Sequence, residues 1–214
     1  MRLQHIWYIL LSSFLLGALG CSRGIVKTGD LTYEWKCDQE ADQALMREEY
    51  EEAILLHKKL LDKNPSNGLA LYHIGYAYGC LGEHEMEISY YEEAVSKGYR
   101  TGSIFFNLGM AYGETGGLQD SVSAFKRGIE IAPDNPDLHF GLAVAYQRAS
   151  YYDLSEAEFL KAIELNPESL DSRFYLGLQY AETGDNVKAR EQAVKIMEID
   201  RDSPFAVEIL ARIE

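Results

Sequence analysis

The feature that most narrows the fold of this chain is an internal period of 34 residues. Tyr78, Tyr112, Tyr146 and Tyr180 stand one period apart, and so do Ile74, Leu108, Leu142 and Leu176. Each member of the second column is followed at once by a small residue: Gly75, Gly109, Ala143 and Gly177. Gly82, Gly116 and Gly184 form a further column, interrupted by Ser150. Tyr91, Phe125 and Phe159 align, as do Ala94, Gly128 and Ala162, and Pro65, Pro133 and Pro167 close three of the periods. Within a period the apolar residues recur at steps of three and four, as in Phe105, Leu108, Tyr112 and then Val122, Phe125, Ile129. That spacing predicts two amphipathic helices per period. The small residue beside the leucine lets two helices approach closely, and the aromatic residues fill the space between them. Neither helix buries its face alone, so neighbouring pairs must stack.

The pattern resembles the tetratricopeptide repeat over about residues 34–203. The resemblance implies an all-α fold, a right-handed α-solenoid of five helix-turn-helix repeats: 34–67, 68–101, 102–135, 136–169 and 170–203. The first repeat departs from the pattern, with Glu40, Ala44 and Glu48 in the leucine, tyrosine and glycine columns, and reads as a polar cap. At the other end Ser203 and Pro204 open a capping helix over 204–214 whose apolar residues are Phe205, Ile209, Leu210 and Ile213.

In this family the first helix of each repeat lines a concave groove that receives a protein or peptide partner. The resemblance places Tyr72, Phe106, Phe140 and Phe174 there as an aromatic column, with Tyr76, Met110, Val144 and Leu178 four residues on. An apolar strip of this composition suits an interface, although the aromatics are alternatively consumed in packing between neighbouring first helices. Some members grip a C-terminal carboxylate with Lys, Asn and Arg. Here only Asn107 and Arg148 stand at suitable places, among Asp137, Asp171, Glu114 and Glu182, so capture of an apolar helix or extended segment is expected instead.

Arg2 precedes an apolar run from Ile6 to Leu19, then Gly20 and Cys21. Residues 1–20 therefore read as a signal peptide, the run being short for a membrane-spanning helix. A small residue before a cysteine at this place resembles the lipobox of bacterial lipoproteins, which implies acylation of Cys21, palmitate included, and residues 21–33 as a lipidated tether. Ala18 and Leu19 depart from the usual lipobox, and ordinary cleavage near Gly20 would instead give a soluble periplasmic protein. Ser22, where aspartate retains such lipoproteins at the inner membrane, implies the periplasmic face of the outer membrane.

Asp and Glu outnumber Lys and Arg 34 to 20, a formal charge of −14 that argues against nucleic acid. His57, His73, His84 and His139 offer no zinc-motif spacing, and His57 falls in the aromatic column as a core residue. Cys37 and Cys80 fall about 13 Å apart along parallel helices, too far for a disulfide, so both are expected as free thiols. No phosphate-binding glycine loop and no nucleophile with a base can be named. The expectation is a protein without enzymatic activity, cofactor, metal or small-molecule substrate. It would act as an adaptor of the bacterial envelope, assembling or localising a membrane complex much as pilus-secretin pilotins do. The alternative is a recognition subunit for a separate protease or cell-wall hydrolase.

Overall fold

The computed structural model describes residues 25–28, 31–34 and 38–214. They form two compact units, one running to Tyr99 and one from Arg100 to Glu214. In the first, strands β1 (Ile25–Thr28) and β2 (Leu31–Glu34) pair antiparallel, Ile25 opposite Glu34 and Thr28 opposite Leu31. This hairpin overlaps the segment 21–33 read as a tether and runs one residue past it, to Glu34, where the first repeat was expected to begin. Four helices follow: α1 (Gln39–Met46), α2 (Tyr50–Lys63), α3 (Gly68–Cys80) and α4 (His84–Ser96). The second unit contains α5 (Gly102–Glu114), α6 (Leu118–Ile131), α7 (Pro136–Arg148), α8 (Tyr152–Leu165), α9 (Leu170–Thr183), α10 (Asn186–Ile199) and α11 (Pro204–Ile213). Beyond the hairpin the described architecture is all-α and repetitive, as the 34-residue period requires.

Why the helices start where they do is written in one column. Asn67, Thr101, Asn135 and Ser169 are 34 residues apart, and each side chain accepts a backbone N–H in the first turn of the helix that opens its repeat. These bonds satisfy donors that have no partner within the helix. The second helices α2, α4, α6 and α8 lack such a side-chain bond and follow directly from the turn before them. That turn also repeats: Gly82, Gly116 and Gly184 have φ of +78°, +84° and +83°, and Glu48 and Ser150, in the same column, adopt +60° and +62°. The turn conformation is thus kept in all five repeats, including the two where a side chain makes it costly.

Packing follows the columns. A Cβ added at Gly75 would lie 2.6 Å from the Tyr91 ring, and one at Gly109 would lie 2.7 Å from Phe125, so the glycines are there because the aromatic occupies their side-chain space. Gly177 faces Ile209 of α11 in the same way, and Ala206 and Ile209 are fully buried. The last helix therefore covers the fifth repeat as its sequence predicts. Within the second unit the first helices α5, α7 and α9 touch one another in order, giving this unit a shared first-helix face.

Candidate functional site

On that face the structure places the expected residues differently from the exposed aromatic wall the resemblance implied. Phe106, Phe140 and Phe174 are at most 9% exposed. Phe106 packs edge-on against Phe125 at 5.9 Å, Phe140 against Tyr175 at 5.5 Å, and Phe174 stacks on Phe205 of α11 at 4.5 Å. Tyr72 in the first unit is buried too, between Tyr91 and Tyr99. The aromatic column is consumed in packing, because each ring reaches the second helix of its own repeat or the helix after it. Val144 and Asn107 are also buried. What remains accessible is Met110 and Leu178, both partly exposed, the exposed Arg148, and in the first unit Tyr76.

Polar groups join them. Asp137 and Asp171, one period apart in the first turns of α7 and α9, are half-buried. Burial raises both carboxyls above the ordinary carboxylate range, and the Asp171 charge raises Asp137 further. Burial likewise raises the Tyr175 hydroxyl, which feels Asp171, Glu208 and Arg148, while Gln147 donates to the Tyr175 carbonyl at 3.3 Å. Two partly desolvated carboxylates on first helices of the unit whose first helices also carry the partly exposed Met110 and Leu178 make a surface suited to a cation carried on an apolar segment.

A second constellation lies in the first unit, where α1, α2 and α3 bring Asp42, His57 and His73 together, at 5%, 1% and 6% exposure. Asp42 Oδ1 is 3.0 Å from His73 Nδ1 and 3.6 Å from His57 Nε2, and the two imidazoles meet edge-on with centroids 4.8 Å apart. Neither ring nitrogen of His57, nor His73 Nδ1, makes a hydrogen bond to any described residue. Each such buried atom costs roughly 1–3 kcal/mol if left so. Burial first, and then the neighbouring His73, push the His57 imidazole down to about 4. His57 is a core residue, as its column predicts, but no motif spacing points to its partners. The available signal was that Asp42 falls in the column of Tyr76, Met110, Val144 and Leu178, and His57 in that of Tyr91, Phe125 and Phe159. Two polar residues had entered apolar columns in the same repeat.

Cys80 is a free, half-buried thiol whose pKa burial raises. Cys21 and Cys37 lie outside the described residues. No described helix is long and apolar enough to cross a membrane.

The pattern of the tetratricopeptide repeat matches residues 69–96, 102–135 and 136–169, and a second pattern of the same description matches 158–191, together more than half of the chain. The chain belongs to the tetratricopeptide-repeat family. Solved structures agree in fold. MamA from Desulfovibrio magneticus RS-1 superposes with a TM-score of 0.73 at 19% identity, over 77% of this chain and 93% of that one. YrrB, described as a tetratricopeptide protein with an unusual peptide-binding site, gives 0.70 at 21%, over 78% and 87%. PilF of Pseudomonas aeruginosa gives 0.71 at 15%, over 82% and 80%. No curated protein sequence matches the chain. A tetratricopeptide domain is a scaffold for protein–protein interaction, and its repeats are generally non-catalytic.

Proposed function

We propose that this tetratricopeptide protein is a lipid-tethered adaptor of a bacterial envelope whose first-helix face, in residues 100–214, receives a partner segment carrying apolar and basic side chains. The observation that carries the choice of partner is the pair Asp137 and Asp171. Their carboxylates are half-buried and raised in pKa, so a Lys or Arg from a guest would stabilise the charged form of both. Met110 and Leu178, partly exposed on first helices of the same unit, would supply apolar contact. The tether reading rests on Cys21 and the run before it, and the outer-membrane address on Ser22.

Two measurements test this in the native host. Cys21→Ser should move the protein from the membrane to the soluble fraction, and unchanged fractionation would dismiss lipidation. Asp137→Lys with Asp171→Lys should abolish crosslinking to the partner while leaving the melting temperature within a few degrees of native. Crosslinks that survive the charge reversal would place the partner elsewhere. The identity of the crosslinked protein then decides between the two assignments, pilus or secretion components supporting an assembly adaptor and a protease or cell-wall hydrolase supporting a recognition subunit. Phe140→Ala and Phe174→Ala are poor probes of this surface, because both rings are core.

A further inference from the structure

We infer that Asp42, His57 and His73 form a binding site for a divalent transition-metal ion, of which zinc is the representative, tying α1 and α2 to α3. The three ligand atoms, one from each helix, lie within 4.8 Å of one another. A tetrahedral metal about 2.0–2.2 Å from imidazole nitrogen and carboxylate oxygen sets its ligand atoms about 3.3–3.6 Å apart. The two separations from Asp42 Oδ1 are 3.6 Å, at the upper end of that range, and 3.0 Å, a few tenths of an ångström short of it. At 3.0 Å the His73 Nδ1 is close enough to Asp42 for a strong hydrogen bond, yet it is not aligned for one. The His57 nitrogens and His73 Nδ1, without a bond to a described residue and crowded beside one carboxylate, are what a common central ion would organise.

His57 supplies a second argument. Its ring is 1% exposed and neither nitrogen bonds to a described residue, so both of its polar atoms are buried without a described partner. The aromatic residues in the same column, Tyr91, Phe125 and Phe159, show that an apolar ring fits this place. A histidine there needs a partner, and an ion between it and Asp42 would be one.

The donor set selects the ion. Two imidazoles and one carboxylate suit zinc and its neighbours in the first transition row, whereas magnesium and calcium prefer shells of oxygen. Three protein ligands also leave a fourth position for solvent or another donor. The ion would fasten α1, a helix of eight residues, whose length gives it little stability of its own. Metal affinity would then appear as stability of the first unit.

The test uses the full chain, purified in mild detergent and stripped with a chelator. Calorimetric titration with zinc should show one ion per chain, and the loaded protein should melt at a higher temperature than the stripped one. His57→Phe, which places the column's usual aromatic at that position, should remain folded and bind zinc at least about 100-fold more weakly; His73→Asn, which copies the Asn107 found one period later, should do the same. Cobalt in place of zinc should give visible ligand-field bands without sulfur-to-metal charge transfer. Failure of the native chain to bind zinc stoichiometrically would overturn the proposal. So would His57→Phe and His73→Asn titrations that match the native one, or a thiolate charge-transfer band assigning the metal to cysteine. None of these readouts involves the partner surface of the second unit, so the two proposals stand or fall separately.

Discussion

His57 and His139 are both buried histidines of tetratricopeptide helices, one in each unit, and their surroundings differ in kind. His139 Nδ1 lies 2.7 Å from Glu158 Oε2 and its Nε2 lies 2.9 Å from the Pro133 carbonyl, so each nitrogen has a protein acceptor within hydrogen-bond distance. His57 has neither bond, and its close neighbours are another imidazole and a carboxylate oxygen out of hydrogen-bond reach. The first is a polar side chain absorbed into a finished structure. The second is a polar side chain for which the described fold provides position without partners. Burial alone therefore does not tell a structural histidine from a binding one; the hydrogen-bond inventory does.

Single substitutions press on this contrast, here in falling order of effect. Phe125 occupies the same column as His57, is 1% exposed, and fills the space beside Gly109. Phe125→Ala should cost about 3–5 kcal/mol in urea denaturation, whereas His57→Ala in the chelated protein should cost well under half as much, because it also removes two unbonded buried nitrogens. Equal losses would mean that the His57 ring is satisfied after all. His139→Phe should destabilise by about 1–2 kcal/mol by stranding Glu158 and the Pro133 carbonyl. The same exchange at His57, with chelator present, should stabilise by about 1 kcal/mol, and opposite signs at the two sites are the expected signature. The smallest effect belongs to Asp137→Asn. Its carboxyl is raised in the folded state, so the charged form costs stability at pH above that raised value. The amide should therefore raise stability slightly at pH 7, a gain that vanishes below the ordinary value of 3.8, where the acid is protonated folded and unfolded alike.

The period made the fold readable from sequence, because every column has one structural duty and repeats it. The Leu-Gly pairs, the aromatic column and the turn glycines mark where helices touch, and the Ser203–Pro204 start of α11 was visible for the same reason. The partner surface was less legible. Phe106, Phe140 and Phe174 lie at the positions the family uses for binding, but how much of each ring remains exposed depends on the size of its neighbours on adjacent helices, such as Tyr175 and Phe205. The histidine cluster was hidden differently: Asp42, His57 and His73 are 15 and 16 residues apart along the chain, which matches no metal-binding spacing, and only the stacking of three helices joins them.

The residues Asn67, Thr101, Asn135 and Ser169 carry a consequence for how such a chain changes length. Because Thr101, Asn135 and Ser169 stand one period apart and each caps the first turn of the helix it opens, a segment cut at one and rejoined at the next meets equivalent junction chemistry. Growth or loss by whole multiples of the period leaves every splice capped, whereas any other increment strands amide protons at a helix start. Genetic duplication is thus channelled into steps of one repeat, with the short hydroxyl and amide side chains acting as its punctuation.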